Sequence, residues 1–144
     1  MNFLDSLRTS ATGLSAQRLR MNLISSNLAN VNTTRTKEGK AYQRKDAVFA
    51  AEQPADFGST LAQRMAEGAG GVEVVDIRED NRPPILKYDP NHPDADAKGF
   101  VSLPNINVVE EMVNMISATR SYEANVTAVK ATKDMAAEAL EIGR

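Results

Sequence analysis

Two stretches, one near each end of the chain, repeat apolar or small positions at alternating steps of three and four residues. In 107–142, Val108, Met112, Met115, Thr119, Tyr122, Val126, Val129, Lys133, Ala136 and Leu140 share one heptad seam, the pattern of a helix that lies along another helix. Pro104 precedes the run, Asn107 stands where an N-cap belongs, and Glu110 follows three residues on. That capping-box spacing also sets acid at the positive end of the helix dipole. No Pro or Gly interrupts the pattern before Gly143. At about 1.5 Å per residue, a helix of roughly 35 residues spans on the order of 52 Å. A compact domain of this size is narrower, so the helix needs something to lie against.

The first stretch carries the same alternation through Leu4, Leu7, Ala11, Leu14, Arg18, Met21, Ser25 and Leu28, with Phe3 and Ile24 widening the stripe and Asn2 placed to cap. Arg18 and Ser25 weaken a simple two-stranded zipper. Gly13 costs the helix up to about 1 kcal/mol relative to Ala, which suggests a close neighbour at that point. Asn27, Leu28, Ala29 and Asn30 run into Val31-Asn32-Thr33-Thr34, where Asn and Thr compete with the helical backbone and favour caps and turns. The helix is expected to stop near Asn30.

Between these stretches the pattern breaks. All six prolines and six of the eight glycines lie between Gly39 and Pro104, so neither helix continues there. Ala41–Phe49, Val72–Ile77 and Ile85–Tyr88 have the composition of short strands, and Gln53–Gly71 reads as a loop. The expected organisation is an N-terminal coiled-coil helix over 1–32, a central irregular and β-containing segment over 33–104, and a C-terminal coiled-coil helix over 105–144. The expected fold class is mainly α, with the long terminal helices pairing as an antiparallel coiled-coil hairpin. One such hairpin buries only a narrow seam. Val109, Val113 and Ile116 form a second apolar edge, and Ala124, Ala128, Ala131, Ala137 and Ala139 permit close helix approach. The helices are therefore expected to complete their packing in an assembly. The candidate assembly interface is Leu7, Leu14, Met21 and Leu28 on the first seam with Val108, Met112, Met115, Tyr122, Val126, Val129 and Leu140 on the second.

Composition narrows the function. The 144 residues are 42% hydrophobic and 25% charged with a formal charge of -2, which supplies no general attraction to nucleic acid or anionic lipid. Aromatics are 5% and cysteine is absent, excluding disulfides and thiolate chemistry. No run approaches the about 18 apolar residues of a membrane span, so direct membrane insertion is not expected. The first residues lack a continuous apolar region and place Asp5 before any basic residue, unlike a cleaved secretory signal.

Candidate chemistry is sparse. His92 is the sole imidazole and sits in a proline-rich loop without a glycine elbow or serine partner, so no catalytic residues, and no enzyme, are expected. Asp94, Asp96 and Gly99 fit the opening of a calcium loop, yet Asn105 stands where the bidentate Glu belongs; a Pro-braced loop is the reading, with no metal and no cofactor. Arg35, Lys37, Lys40, Arg44 and Lys45 cluster without interleaved aromatics, pointing to an acidic neighbour or a solvated face rather than nucleic acid. Glu110, Glu111, Glu138 and Glu141 read as dipole and solubility charges, and Asp134 with Glu138 is a like-charge pair that slightly disfavours its helix.

Asn27-Leu28-Ala29-Asn30 at the end of an N-terminal heptad helix resembles the signature of the bacterial flagellar axial proteins of rod and hook. Gln17-Arg18-Leu19-Arg20-Met21, Asn32-Thr33-Thr34-Arg35-Thr36, and the run Asp89, Pro90, His92, Pro93, Asp94, Asp96 leading to Gly99-Phe100-Val101 are similar to proximal rod members in particular. Pro104-Asn105-Ile106-Asn107-Val108 and Ala118-Thr119-Arg120-Ser121-Tyr122-Glu123-Ala124-Asn125 are also typical of the family. The resemblance covers both ends and the late middle, leaving Phe49–Gly71 unmatched. It implies a structural subunit of the proximal rod, self-assembling through its terminal helices into a tubular shaft that transmits torque and encloses the export channel. Implied partners are other copies of the chain, the rod proteins FlgB and FlgF, the rod-base protein FliE and the flagellar type III export apparatus. The implied place is the basal-body rod in the periplasm, reached without signal cleavage. A sibling rod protein such as FlgB, or a helical-hairpin adaptor that does not polymerise, is the alternative.

Overall fold

A computed structural model of the chain describes residues 3–52 and 70–142. Helix α1 runs over Phe3–Ala29 and helix α2 over Val108–Ile142, with β1 (Lys45–Ala51), β2 (Val72–Glu79), β3 (Ile85–Tyr88) and β4 (Phe100–Leu103) between them. Asn107 caps α2: its side-chain oxygen accepts from the Val109 N–H at 3.0 Å and the Glu110 N–H at 3.4 Å, satisfying donors that the first turn leaves free. At the other boundary the Asn30 N–H and its side-chain amide both donate to the Ser26 carbonyl, at 3.1 and 2.9 Å, closing α1.

The strands form two separate two-stranded antiparallel sheets, β1 with β2 and β3 with β4. Lys45 pairs with Glu79 and Ala51 with Val72, with a bulge after Val48; Ile85 pairs with Leu103 and Tyr88 with Phe100. Three of these strands overlap the expected ones. Phe100–Leu103 lay outside the sequence expectation, and most of the expected loop Gln53–Gly71 lies outside the described residues.

The fold class is corrected by this arrangement. The described chain is two helices and two small sheets, and the coiled-coil hairpin expected from the seams is not what the structure shows. The helices do pack on each other in opposite directions, with Gly13 beside Asn125, Met21 beside Thr119 and Asn27 beside Glu111. The seam itself is displaced. On α2 the fully buried positions are Glu111, Ala118 and Thr132, with Met115, Thr119, Tyr122, Asn125, Val126 and Val129 half-buried, whereas Met112 is 54% exposed. The expected seam is kept in part, and the most covered positions, Glu111, Ala118 and Thr132, lie one residue before Met112, Thr119 and Lys133. On α1, likewise, Leu7, Leu14, Met21 and Leu28 are half-buried while Leu4, Ala11, Arg18 and Ser25 face outward. The physical reason is close approach. Small and polar residues bring the backbones together: a methyl group at Gly13 would stand 3.2 Å from the Asn125 side-chain nitrogen. Also, α1 divides its surface between α2, β1 and β2. Among the described residues the buried apolar set is only Ala16, Ile24, Val101, Ile106 and Ala118, a thin core in which buried polar groups carry unusual weight.

Candidate functional site

Among the described residues the largest fully buried side chains are Glu111 and Asn27. Asn27, the first residue of the Asn-Leu-Ala-Asn motif, ends α1 with its amide turned inward. Its nitrogen donates to Glu111 Oε2 and to the Lys45 carbonyl, both at 2.9 Å, and its oxygen accepts from the Lys45 N–H at 2.9 Å and the Tyr42 hydroxyl at 3.1 Å. All four hydrogen bonds available to a primary amide in this setting are made. The other oxygen of Glu111 accepts from Arg44 Nε at 2.8 Å, and Arg44 reaches Asp46 at 3.2 Å. Burial pulls the Arg44 pKa down, but the hydrogen bond and charge of Glu111, aided by Asp46, outweigh it and hold the guanidinium above its usual value. The result is a clamp that fastens the end of α1, the start of β1 and the first turn of α2 at one point.

Sequence reasoning assigned these residues differently. Glu111 was expected to be a dipole or solubility charge and is 1% exposed; Arg44 was expected on a solvated or partner-facing patch and lies mostly covered on Glu111. Asn27 and Glu111 are 84 positions apart, so no local pattern joins them. The one available signal was a carboxylate on the α2 side that packs on α1.

Of the remaining motif residues, Leu28 is half-buried, Ala29 is exposed and Asn30 closes the helix, its oxygen accepting from Thr33 at 3.1 Å. Asp89, Pro90, His92, Pro93, Asp94 and Asp96 form the loop between β3 and β4. Within it His92 Nδ1 accepts from the Asp94 N–H at 3.1 Å, and the Asp96 carboxylate accepts from the N–H groups of Lys98 and Phe100 at 2.8 and 2.9 Å. Those backbone donors, Phe100 foremost, hold the Asp96 carboxyl below the usual carboxylate range. Gly99 takes a φ of 80°, a conformation that side chains resist. Asp94 ties the loop to the segment after α1, accepting from the Thr34 hydroxyl at 2.7 Å. The carboxylates of Asp94 and Asp96 are thus used as internal fasteners. A groove of about 580 Å³ separates the loop from the turn around Gly39.

The expected interface residues divide into two groups. Leu7, Leu14, Met21, Leu28, Met115, Tyr122, Val126 and Val129 are half-buried, while Val108, Met112 and Leu140 are exposed. Together with Val109, Val113 and Ile116, also exposed, Met112 lies at the i, i+3, i+4, i+7 spacing of one helical face. That face turns away from the described body of the protein. A contiguous apolar stripe open to water is a recognised mark of an interaction surface.

Comparison with known proteins bears on what that surface serves. Residues 7–37 match the family model described as flagella basal body rod protein, and residues 97–142 match the one described as flagellar basal body rod FlgEFG protein C-terminal. Over whole chains, the flagellar basal-body rod protein FlgC of Bacillus subtilis is 48% identical, with all of both chains covered. FlgC of Borreliella burgdorferi is 47% identical over 99% of this chain and 98% of its own; FlgC of Salmonella typhimurium is 35% identical over the full length of both. The chain belongs to the FlgC family. It is a structural rod subunit of the flagellar basal body. The two family-model matches hold the two helical sides of the clamp, Asn27 in one and Glu111 in the other, while Arg44 and the Asp89–Asp96 loop lie between them.

Proposed function

We propose that this FlgC-family chain builds the proximal part of the rod, in the periplasm, as a subunit of a tube that transmits torque and encloses the export channel. Val109, Met112, Val113 and Ile116 carry the proposal: an apolar face of α2 that the chain itself leaves open. Val108 and Leu140 of the expected interface extend it, and the half-buried members of that set hold α2 on α1. Neighbours suited to cover the face are further copies, the rod proteins FlgB and FlgF and the rod-base protein FliE. Delivery through the flagellar type III export apparatus without signal cleavage belongs to the same reading.

Val113→Asp tests this reading. The side chain is exposed, so the isolated chain is expected to keep its circular dichroism spectrum. In the assembled wall the same carboxylate would be buried without a partner, at a cost of several kcal/mol, and cells carrying the variant are expected to lack complete rods and to stop swimming. Wild-type swimming with a folded, secreted variant would overturn the assignment of this face.

A further inference from the structure

The far end of α2 is anomalous in three ways. The antiparallel pairing of Gly13 with Asn125 and Asn27 with Glu111, continued by equal steps, sets Met135 level with Phe3. About two turns of α2 then extend past the described start of α1. On that extension Met135, Leu140 and Ile142 are 62%, 78% and 88% exposed. Asp134, Glu138 and Glu141 fall on one helical face, and the last turn carries no basic residue among those described. Acids at the negative end of a helix dipole, two of them four residues apart, disfavour the helix that bears them. Lys130, one turn before Asp134, is the nearest cation on that face.

The opposite end of the molecule has complementary chemistry. Arg35, Lys37 and Lys40 stand on the turn that follows α1, with Glu38 among them. Lys37 and Lys40 form no ion pair among the described residues, and Arg35 reaches only Asp94, at 3.9 Å. Arg35 and Lys40 also rim the 580 Å³ groove, whose walls include Pro84, Pro93, Pro104 and Phe100. The carboxylates that line it are engaged internally: Asp80 by Arg82, Asp94 by Thr34, and Asp96 by backbone N–H groups. What remains open is a mixed wall, apolar at Pro84, Pro93 and Phe100 and polar at Gln43, Ser102 and Asn105, with Arg35 and Lys40 on its rim. The acidic end of α2 lies the length of a 35-residue helix away, on the order of 50 Å, so it cannot reach this groove in its own chain.

We infer that the last turns of α2, Met135–Ile142, seat in the groove beside Arg35 and Lys40 of a second copy. The contact joins unlike surfaces, so it repeats from copy to copy without closing a dimer, as a tube wall requires. It rests on the rod reading above and names one charged contact within it.

The test uses the full chain in cells. The natural sequence has no cysteine, so Lys40→Cys and Glu141→Cys in one chain report the contact directly. Under oxidation, basal bodies are expected to yield a ladder of cross-linked copies from the double variant and none from either single variant. Separately, Glu138→Lys with Glu141→Lys, and Lys37→Glu with Lys40→Glu, are each expected to reduce swimming about tenfold. The four changes together are expected to restore it to within about twofold, as charge-complementary contacts do. A combined variant no better than either pair, a tail reversal without effect, or cross-linking to a different polypeptide would overturn the contact. Basal bodies lacking the chain altogether would instead overturn the rod reading.

Discussion

Asn27 offers two donors and two acceptors, and the burial of Glu111 depends on one of those donors. Asn27→Asp keeps the size but replaces the amide nitrogen that bonds Glu111 with a second carboxylate oxygen, facing the first across 2.9 Å. Like charges buried together, with the hydrogen bonds to Glu111 and to the Lys45 carbonyl both lost, should destabilise the chain by about 3 kcal/mol or more. Urea unfolding followed by circular dichroism would show this as a lowered midpoint at unchanged slope. Glu111→Gln should cost a similar amount, about 3 kcal/mol, because Arg44 is left covered with only Asp46 opposite its charge. A midpoint unmoved by either change would mean that the clamp contributes little. Asp96 has a different test. Its folded pKa is the lower one, so ionised Asp96 supports the β3–β4 loop above the range in which free aspartate titrates. That support is lost as pH falls through the depressed value. The amide resonances of Lys98 and Phe100 are therefore expected to stay fixed down to the ordinary aspartate value of 3.8 and to shift together below it; a joint shift above 3.8 would contradict the assignment.

At the scale of elements, Gly71 positions β2 against α1. Thr12 Oγ accepts from the Val72 N–H at 3.0 Å, and a methyl group on Gly71 would stand 2.9 Å from that oxygen and 2.7 Å from a Glu52 carboxylate oxygen. Glu52 can swing away, but Thr12 is held by its own bond to the Thr9 carbonyl. Gly71→Ala should cost about 1–3 kcal/mol and raise amide exchange at Val72 first. The elements themselves were largely legible. Asn107 and Asn30 mark helix ends because their side chains satisfy backbone groups locally, and Val72–Ile77 and Ile85–Tyr88 have strand composition. The short β4 was not legible, because Phe100–Leu103 follows directly on a turn and is defined by pairing with Tyr88 and Ile85 across the loop. The covered side of α2 was misplaced for a related reason. Hydrophobicity favoured Met112, whereas helix approach favoured Glu111, Ala118 and Thr132, whose burial depends on partners elsewhere in the chain. The large apolar residues turned outward, Val109, Met112, Val113 and Ile116, are the ones the proposed function gives to neighbours.

On the whole molecule, the described residues hold a thin internal core, one polar clamp and an open apolar face; under the proposed function, stability is divided between the chain and its assembly. Long helices with few covered apolar contacts are marginal alone, and neighbours that bind only the folded form would stabilise them by mass action. Amide hydrogen exchange across α2, in the dilute chain and in isolated rods, examines this most directly. In the dilute chain, protection is expected near Glu111 and Ala118 and to be weak toward Ile142. In rods, it is expected along all 35 residues of α2. Uniform strong protection of α2 in the dilute monomer, unchanged on assembly, would contradict the claim that neighbouring subunits complete this helix.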